Sequence, residues 1–310
     1  GKDSELSTPI DVTGAFKDAD TSDTLTYTAT GLPTGLTLDK TTGKISGTPD
    51  KAASQGGPNS DGVYTVVVTA DDGHGGSVTQ SFTYTVSNPP PDAKDNRFTT
   101  DEDKTGVVGN ALTGADTTAG TDSDPDGDTL SVVPQTDVAG SAGGQFSIAA
   151  DGTVTFNPDG QFDDLAVGES RATTLSYTLD DGNGGSDTAT ITVVVSGVND
   201  APVPVGTLGD LSKDDASTPA TVDVTGAFKD ADTTDKLSYT ATGLPTGLTL
   251  DKTTGIISGT LDNSASQGGP SKDGKYTVVV TADDGNGGTA TQSFTYTVAN
   301  PCLLYTSPSP

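Results

Sequence analysis

The chain has 310 residues, of which 31% are hydrophobic, with neither Trp nor Met. That apolar content is too low for one large core and suits several small, Gly- and Thr-rich β-domains. The formal net charge is −28, and of the 43 acidic residues only Glu5, Glu102 and Glu169 are not Asp. Such a surface repels nucleic acid and anionic membranes, leaving cations, neutral glycans or basic patches as partners. Asp breaks helices, caps turns and offers a short carboxylate suited to Ca²⁺, so its excess points to loops and not to acidic helix faces. Generic acidity for solubility is the competing reading, and the clustering of Asp between apolar runs weighs against it.

No run of about 18 apolar residues exists, which excludes membrane insertion by a helix. The one cysteine, Cys302, permits no disulfide within the chain. Without an initiator Met or a signal peptide, the sequence reads as an internal piece of a longer protein.

In chain order, Tyr64, Val66, Val68 and Ala70 alternate with Thr65, Val67 and Thr69, and Phe82, Tyr84 and Val86 with Thr83 and Thr85. This is the period-two pattern of strands, and DDGHGG between the runs predicts a hairpin. In the middle of the chain Leu175, Tyr177 and Leu179 are expected to pair with Ile191, Val193 and Val195. Tyr276–Ala282 and Phe294–Val298 repeat the first hairpin. A shift of 212 residues lays Ile10–Pro89 on Val222–Pro301 without a gap, with roughly 65 of 80 positions identical. The unit between the copies shares only its closing hairpin pattern. The predicted fold class is all-β: tandem immunoglobulin/cadherin-like β-sandwiches in a linear array, with domains at 1–91 (its opening strand truncated), 92–200 and 201–301. Residues 302–310, CLLYTSPSP, match nothing at the end of the first copy. They resemble translated read-through of a sequencing-library adapter, and we set them aside as non-native.

GLPTGLTLDKTTGKISGTP followed by YTVVVTADDGHGG resembles the bacterial putative-Ig, dystroglycan-type cadherin-like family, over nearly all of both outer copies. In the middle unit, TTDEDKTG and DSDPDGDTLSV resemble bacterial cadherin-like repeats. FDDLAVGES and SYTLDDGNGGSDTATITVVVSGVNDAP resemble the VCBS repeat of large RTX-type surface adhesins. These resemblances imply Ca²⁺ held between successive domains. By position they carry over a D-x-D (Asp18 and Asp20; Asp126 and Asp128; Asp230 and Asp232) and the acid of A-x-D-x-G (Asp72, Asp284 and, less closely, Asp181). They also carry over the linker N-D-x-P, here Asn199 and Asp200. The first linker reads NPPPDA, so it offers only Asn88 and Asp92, and fewer or weaker sites are expected there.

Topology supports this. In such a sandwich the loop after an early strand, the last hairpin loop and the incoming linker share one end. Asp18, Asp20 and Asp72 are thus expected to gather within a few ångströms, where a hard dication relieves their repulsion. Capping of Asp-Gly turns is the bland alternative for any one of them.

Other motifs lead nowhere. Asp122-x-Asp124-x-Asp126-Gly127 opens like an EF-hand loop, but Val133 stands where the closing Glu belongs. DDGNGGSDT is too short for a β-roll. His74, the only histidine, sits where the other copy has Asn286, so no base is available for a nucleophile, and no enzyme is expected. The function expected is a calcium-stabilised stalk segment of a secreted bacterial surface adhesin, its partners calcium, neighbouring repeats, and host or matrix glycans or proteins. The alternatives are a glycan- or protein-binding module, or spacers in a secreted polysaccharide-degrading enzyme.

Overall fold

The computed structural model describes residues 1–114 and 121–300; the adapter-like tail lies outside them. Among the described residues every element longer than three residues is a β-strand, and the only helices are three-residue 3-10 turns.

In the first unit, strands Ile10–Asp11, Lys44–Gly47 and Leu36–Leu38 form one antiparallel sheet, and Thr26–Thr30, Val63–Asp71 and Ser77–Thr85 form the other. The third unit repeats both sheets. It adds Leu211–Asp214, which runs parallel to Thr289–Ala299, and Val203–Pro204, which pairs with Phe228–Lys229. The middle unit packs two four-stranded sheets. One has Gln135–Ala139 and Gly106–Asn110 at its edges; the other has Asn96–Asp101 and Ser131–Val132.

Alternation decides which side chains face inward. Val66, Val68 and Ala70 point into the first core with Ile45 and Leu36 of the opposite sheet. Val278, Val280 and Ala282 do the same in the third, with Ile257 and Leu248. The middle core is richer in aromatics: Phe146, Phe156 and Phe162 pack edge to face at centroid distances of 4.9 and 6.1 Å, beneath Tyr177 and Leu179. Each core belongs to one unit.

The predicted hairpins form, with one change of register. Leu175 lies opposite Ile191 as expected, but Tyr177 faces Ala189, while Val193 and Val195 face Thr173 and Arg171. Antiparallel strands count in opposite directions, so three residues going up cannot all meet three going up on the partner. Ser77–Thr85 also begins earlier than its apolar residues suggest, because the polar Ser77 and Thr79 complete the ladder to the tip, opposite Asp71 and Thr69.

The three DDG loops are built alike. In the first, Gly73 and Gly75 have φ of +75° and +102°, a region that costs residues with a Cβ. The Asp72 carboxylate closes the turn, accepting from the amides of His74 and Gly76 at 2.7 and 2.9 Å. One carboxylate oxygen is therefore spent on the loop itself, and the other projects from the end of the sandwich.

Leu179 is fully buried beneath the middle sheet. Leu179→Ala should destabilise the middle unit by about 2–5 kcal/mol, read as an earlier urea transition in that unit alone.

Candidate metal centres at the domain seams

The second seam shows how the end of a sandwich becomes a site. Asp230 accepts the amide of Asp232 at 3.1 Å, which turns the loop so that both carboxylates face the incoming linker. From the last hairpin, Asp284 accepts the amides of Asn286, Gly287 and Gly288 through Oδ1, and its Oδ2 accepts from Asn199 of the linker at 3.1 Å. The next linker residue, Asp200, donates its amide to Asp232 Oδ2 at 2.9 Å. From the preceding unit comes Glu102, fixed by the amide of Val198 at 2.7 Å. Two groups result, Glu102 with Asp200 and Asp232, and Asp230 with Asp235 and Asp284, each with ligand oxygens within 4.8 Å of one another.

Lys and Arg do not neutralise these groups: the ion pairs among the described residues all lie elsewhere. Glu102 Oε2, Asn199 Oδ1, Asp230 Oδ2 and Asp232 Oδ1 are buried with no hydrogen-bond partner. Burial, reinforced by the charges of Asp200, Asp232 and Asp103, pushes Glu102 up to about 7. Asp200 and Asp232 are raised as well, first by burial and then by neighbouring aspartates. Asp284 is the exception. Burial raises it, but the donors from Asn199 and its own loop outweigh that and leave it low.

The first seam follows the same plan with fewer acids. Asn88 donates to Asp181 Oδ2 at 2.7 Å, as Asn199 does to Asp284. Asp126 donates its amide to Asp124 at 3.0 Å, so Asp124 and Asp126 stand where Asp230 and Asp232 stand, and Asp128 takes the place of Asp235. The loop asparagines confirm this register: Asn183 bonds Asp128 and Asn286 bonds Asp235. Asp124, Asp126 and Asp128 form the third acidic group, and both oxygens of Asp126 are buried without a partner. Burial and the charges of Asp124, Asp128 and Asp3 push the Asp126 carboxyl well above its usual range.

Pro89 follows Asn88 where Asp200 follows Asn199, so this linker supplies neither a carboxylate nor an amide. Asp92 stays out of the site, exposed and paired with Lys94 at 2.5 Å.

Asp18, Asp20 and Asp72 are not assembled, although their sequence is that of the third unit. Asp18 and Asp72 border one cleft and Asp20 is exposed, whereas Asp232 and Asp284 in the other copy are 1% and 5% exposed. Among the described residues nothing packs on that end of the first unit. Sequence reasoning missed Glu102, Asp124 and Asp235. Glu102 carried a signal, being one of only three Glu in the chain.

What meets at each seam is a set of hard oxygen donors. An ion 2.3–2.6 Å from each ligand bridges oxygens up to about 5 Å apart, so these groups have the size and chemistry for a calcium-like dication.

Stacked cadherin- and immunoglobulin-like sandwiches joined through acidic seams define a class of adhesive or structural repeat. The family comparison agrees. Residues 2–87 and 208–299, more than half of the chain, match the "Putative Ig domain" family, and residues 88–197 match the "Bacterial cadherin-like domain". The chain belongs to the Putative Ig domain family, with a bacterial cadherin-like domain between its two copies. Curated protein sequences gave no match. Similar solved structures include mouse cadherin-23 EC22-24, 16% identical over 90% of this chain and 87% of that one, with a TM-score of 0.46. Mouse protocadherin-24 EC1-3 is 18% identical over 90% and 91%, at 0.41, and the human desmocollin-1 ectodomain 13% over 92% and 56%, at 0.38.

Two outcomes follow from the geometry. In metal-free buffer the folded chain holds the Glu102 proton to about pH 7, whereas the unfolded chain releases it near 4.5. Protonation therefore stabilises the fold at low pH, and melting temperature should fall as pH rises from about 4.5 to 8. A flat profile across that window would count against a crowded seam. Second, a Cβ on Gly288 would lie 2.7 Å from the Ala201 backbone and 2.1 Å from Asp284 Oδ2. Gly288→Ala should displace the linker, seen as faster amide exchange at Asn199 and Asp200 with the third core unchanged.

Proposed function

We propose that this chain is a calcium-stiffened stalk segment of a secreted bacterial surface protein. In this reading Ca²⁺ sits among Asn88, Asp124, Asp126, Asp128 and Asp181 at the first seam. At the second it sits among Glu102, Asn199, Asp200, Asp230, Asp232, Asp235 and Asp284. The domains are those of 1–91, 92–200 and 201–301, and Asp18, Asp20 and Asp72 complete a seam when another domain stacks on the first. The observation that carries the reading is the convergence of buried, partnerless oxygens at the seams. Apart from Asn96 Oδ1 and Asp101 Oδ1, every such oxygen among the described residues belongs to one of them.

An ion at ten to a hundred times its Kd would add about 1.4–2.7 kcal/mol per site, a large share of the stability of a small domain without disulfides. It would also tie the linker to both neighbours and stop them pivoting. Millimolar calcium outside the cell suits such sites, and the cadherin-like repeats support the same placement.

The second seam gathers two acidic groups and the first one. Calorimetric titration should therefore resolve tighter calcium binding at the second. Asp232→Ala should remove the rise in the third domain's melting temperature that calcium produces, while leaving the metal-free value unchanged or higher, since it relieves repulsion. Small-angle scattering should show greater interdomain flexibility in EGTA. Identical profiles with and without calcium would refute the stalk.

A further inference from the structure

The last hairpin loops of the middle and third units share one sequence, Asp-Asp-Gly-Asn-Gly-Gly, at 180–185 and 283–288. Each carries an Asn-Gly pair at its exposed tip, Asn183-Gly184 and Asn286-Gly287. Both glycines hold positive φ, +96° and +115°, and a Cβ on either would meet nothing within 4 Å, so the two tips are equally open. Both asparagine side chains donate to a carboxylate of their own seam, Asn183 to Asp128 Oδ2 at 2.6 Å and Asn286 to Asp235 Oδ2 at 2.8 Å. In the first unit His74 takes the asparagine's place, so that loop has no amide to lose.

One bond separates the two tips. Asp284 Oδ1 accepts from the amides of Asn286, Gly287 and Gly288, the Gly287 bond being 2.9 Å long. Asp181 Oδ1 accepts only from Asn183 and Gly185, at 2.8 and 2.9 Å. Among the described residues nothing accepts from the amide of Gly184. That nitrogen is the nucleophile of asparagine deamidation, and glycine, without a Cβ, leaves it unhindered. It gives its proton to solvent base and attacks Asn183 Cγ; the Cγ–Nδ2 bond breaks and the side-chain nitrogen leaves as ammonia. Water then opens the succinimide at one carbonyl or the other, leaving aspartate or its β-linked isomer. At Gly287 the same step must first break the bond to Asp284.

We propose that Asn183-Gly184 is a spontaneous modification site, at which the fold permits the deamidation that it holds back at Asn286-Gly287. The product exchanges a hydrogen-bond donor to Asp128 for a carboxylate beside it. Asp128 already shares its group with Asp124 and Asp126, so each event adds a like charge to the first seam. The reaction needs no metal.

The test incubates the whole chain in EGTA at mildly alkaline pH, folded and in urea, and follows both loop peptides by mass spectrometry, which reads the exchange of amide for acid. In the folded chain position 183 should convert about fivefold faster than position 286, the effect of one hydrogen bond. In urea the two rates should coincide, because the loop sequences are identical. Asn183→Asp, which copies one product, should melt in EGTA at a lower temperature than the unaltered chain. Equal rates in the folded chain, faster conversion at 286, a difference that persists in urea, or an Asn183→Asp chain that melts no lower would each overturn the proposal.

Discussion

The structure depends on carboxylates that cannot all stay charged where the fold puts them. Two like charges about 4–5 Å apart repel by roughly 3–4 kcal/mol at the effective dielectric of a protein surface. Each seam gathers three or more, largely withdrawn from water. The molecule has two ways to relieve this, to keep protons on or to take a cation in. The raised titrations of Glu102, Asp126 and Asp232 are the proton route. The partnerless oxygens beside them are the ones a cation would take. Both routes act on the same atoms, so charge at the seam controls how firmly neighbouring sandwiches are joined.

The two outer copies make a control that a single domain cannot supply. Asp20 and Asp232 sit in almost the same sequence, yet one is exposed and the other nearly fully buried. Local sequence sets the loop: in both copies the first aspartate of D-x-D accepts the amide of the second. Burial is set by the neighbour, through Asn199, Asp200 and Glu102. The site is thus a property of stacking. A lone domain carries only the half of it that repels.

Much of the sandwich was legible from the sequence because alternation is a direct image of inside and outside. The hairpins around DDGHGG and DDGNGG and the buried Val66, Val68 and Ala70 stand where their spacing places them. Less of the seams was legible, for two physical reasons. DSDPDGD has aspartates at 122, 124, 126 and 128, and any adjacent pair satisfies D-x-D. Only the amide of Asp126 on Asp124 shows which pair turns the loop. Glu102 lies about a hundred residues from its partners, at the far end of the preceding sandwich, and becomes a neighbour only once the domains stack. Asp92 misled because its spacing from Asn88 looked like a linker, while Lys94, two residues on, neutralises it.

The seams also divide the work of alignment differently. At the second, the linker is Asn199-Asp200-Ala201, flexible in its covalent bonds and tied through both side chains and backbone; Thr233 adds a bond to the Asp164 carbonyl of the preceding unit. At the first, three consecutive prolines, Pro89 to Pro91, fix φ at each position and limit the chain to extended conformations before any ion is involved. Pro89 removes the Asp200 carboxylate and its amide, and in exchange brings a ring that is itself buried. Part of the rigidity there is built into the backbone itself. At the second seam the linker is held instead by its bonds to carboxylates, Asn199 to Asp284 and the Asp200 amide to Asp232, so its alignment follows the charge state of those groups more closely.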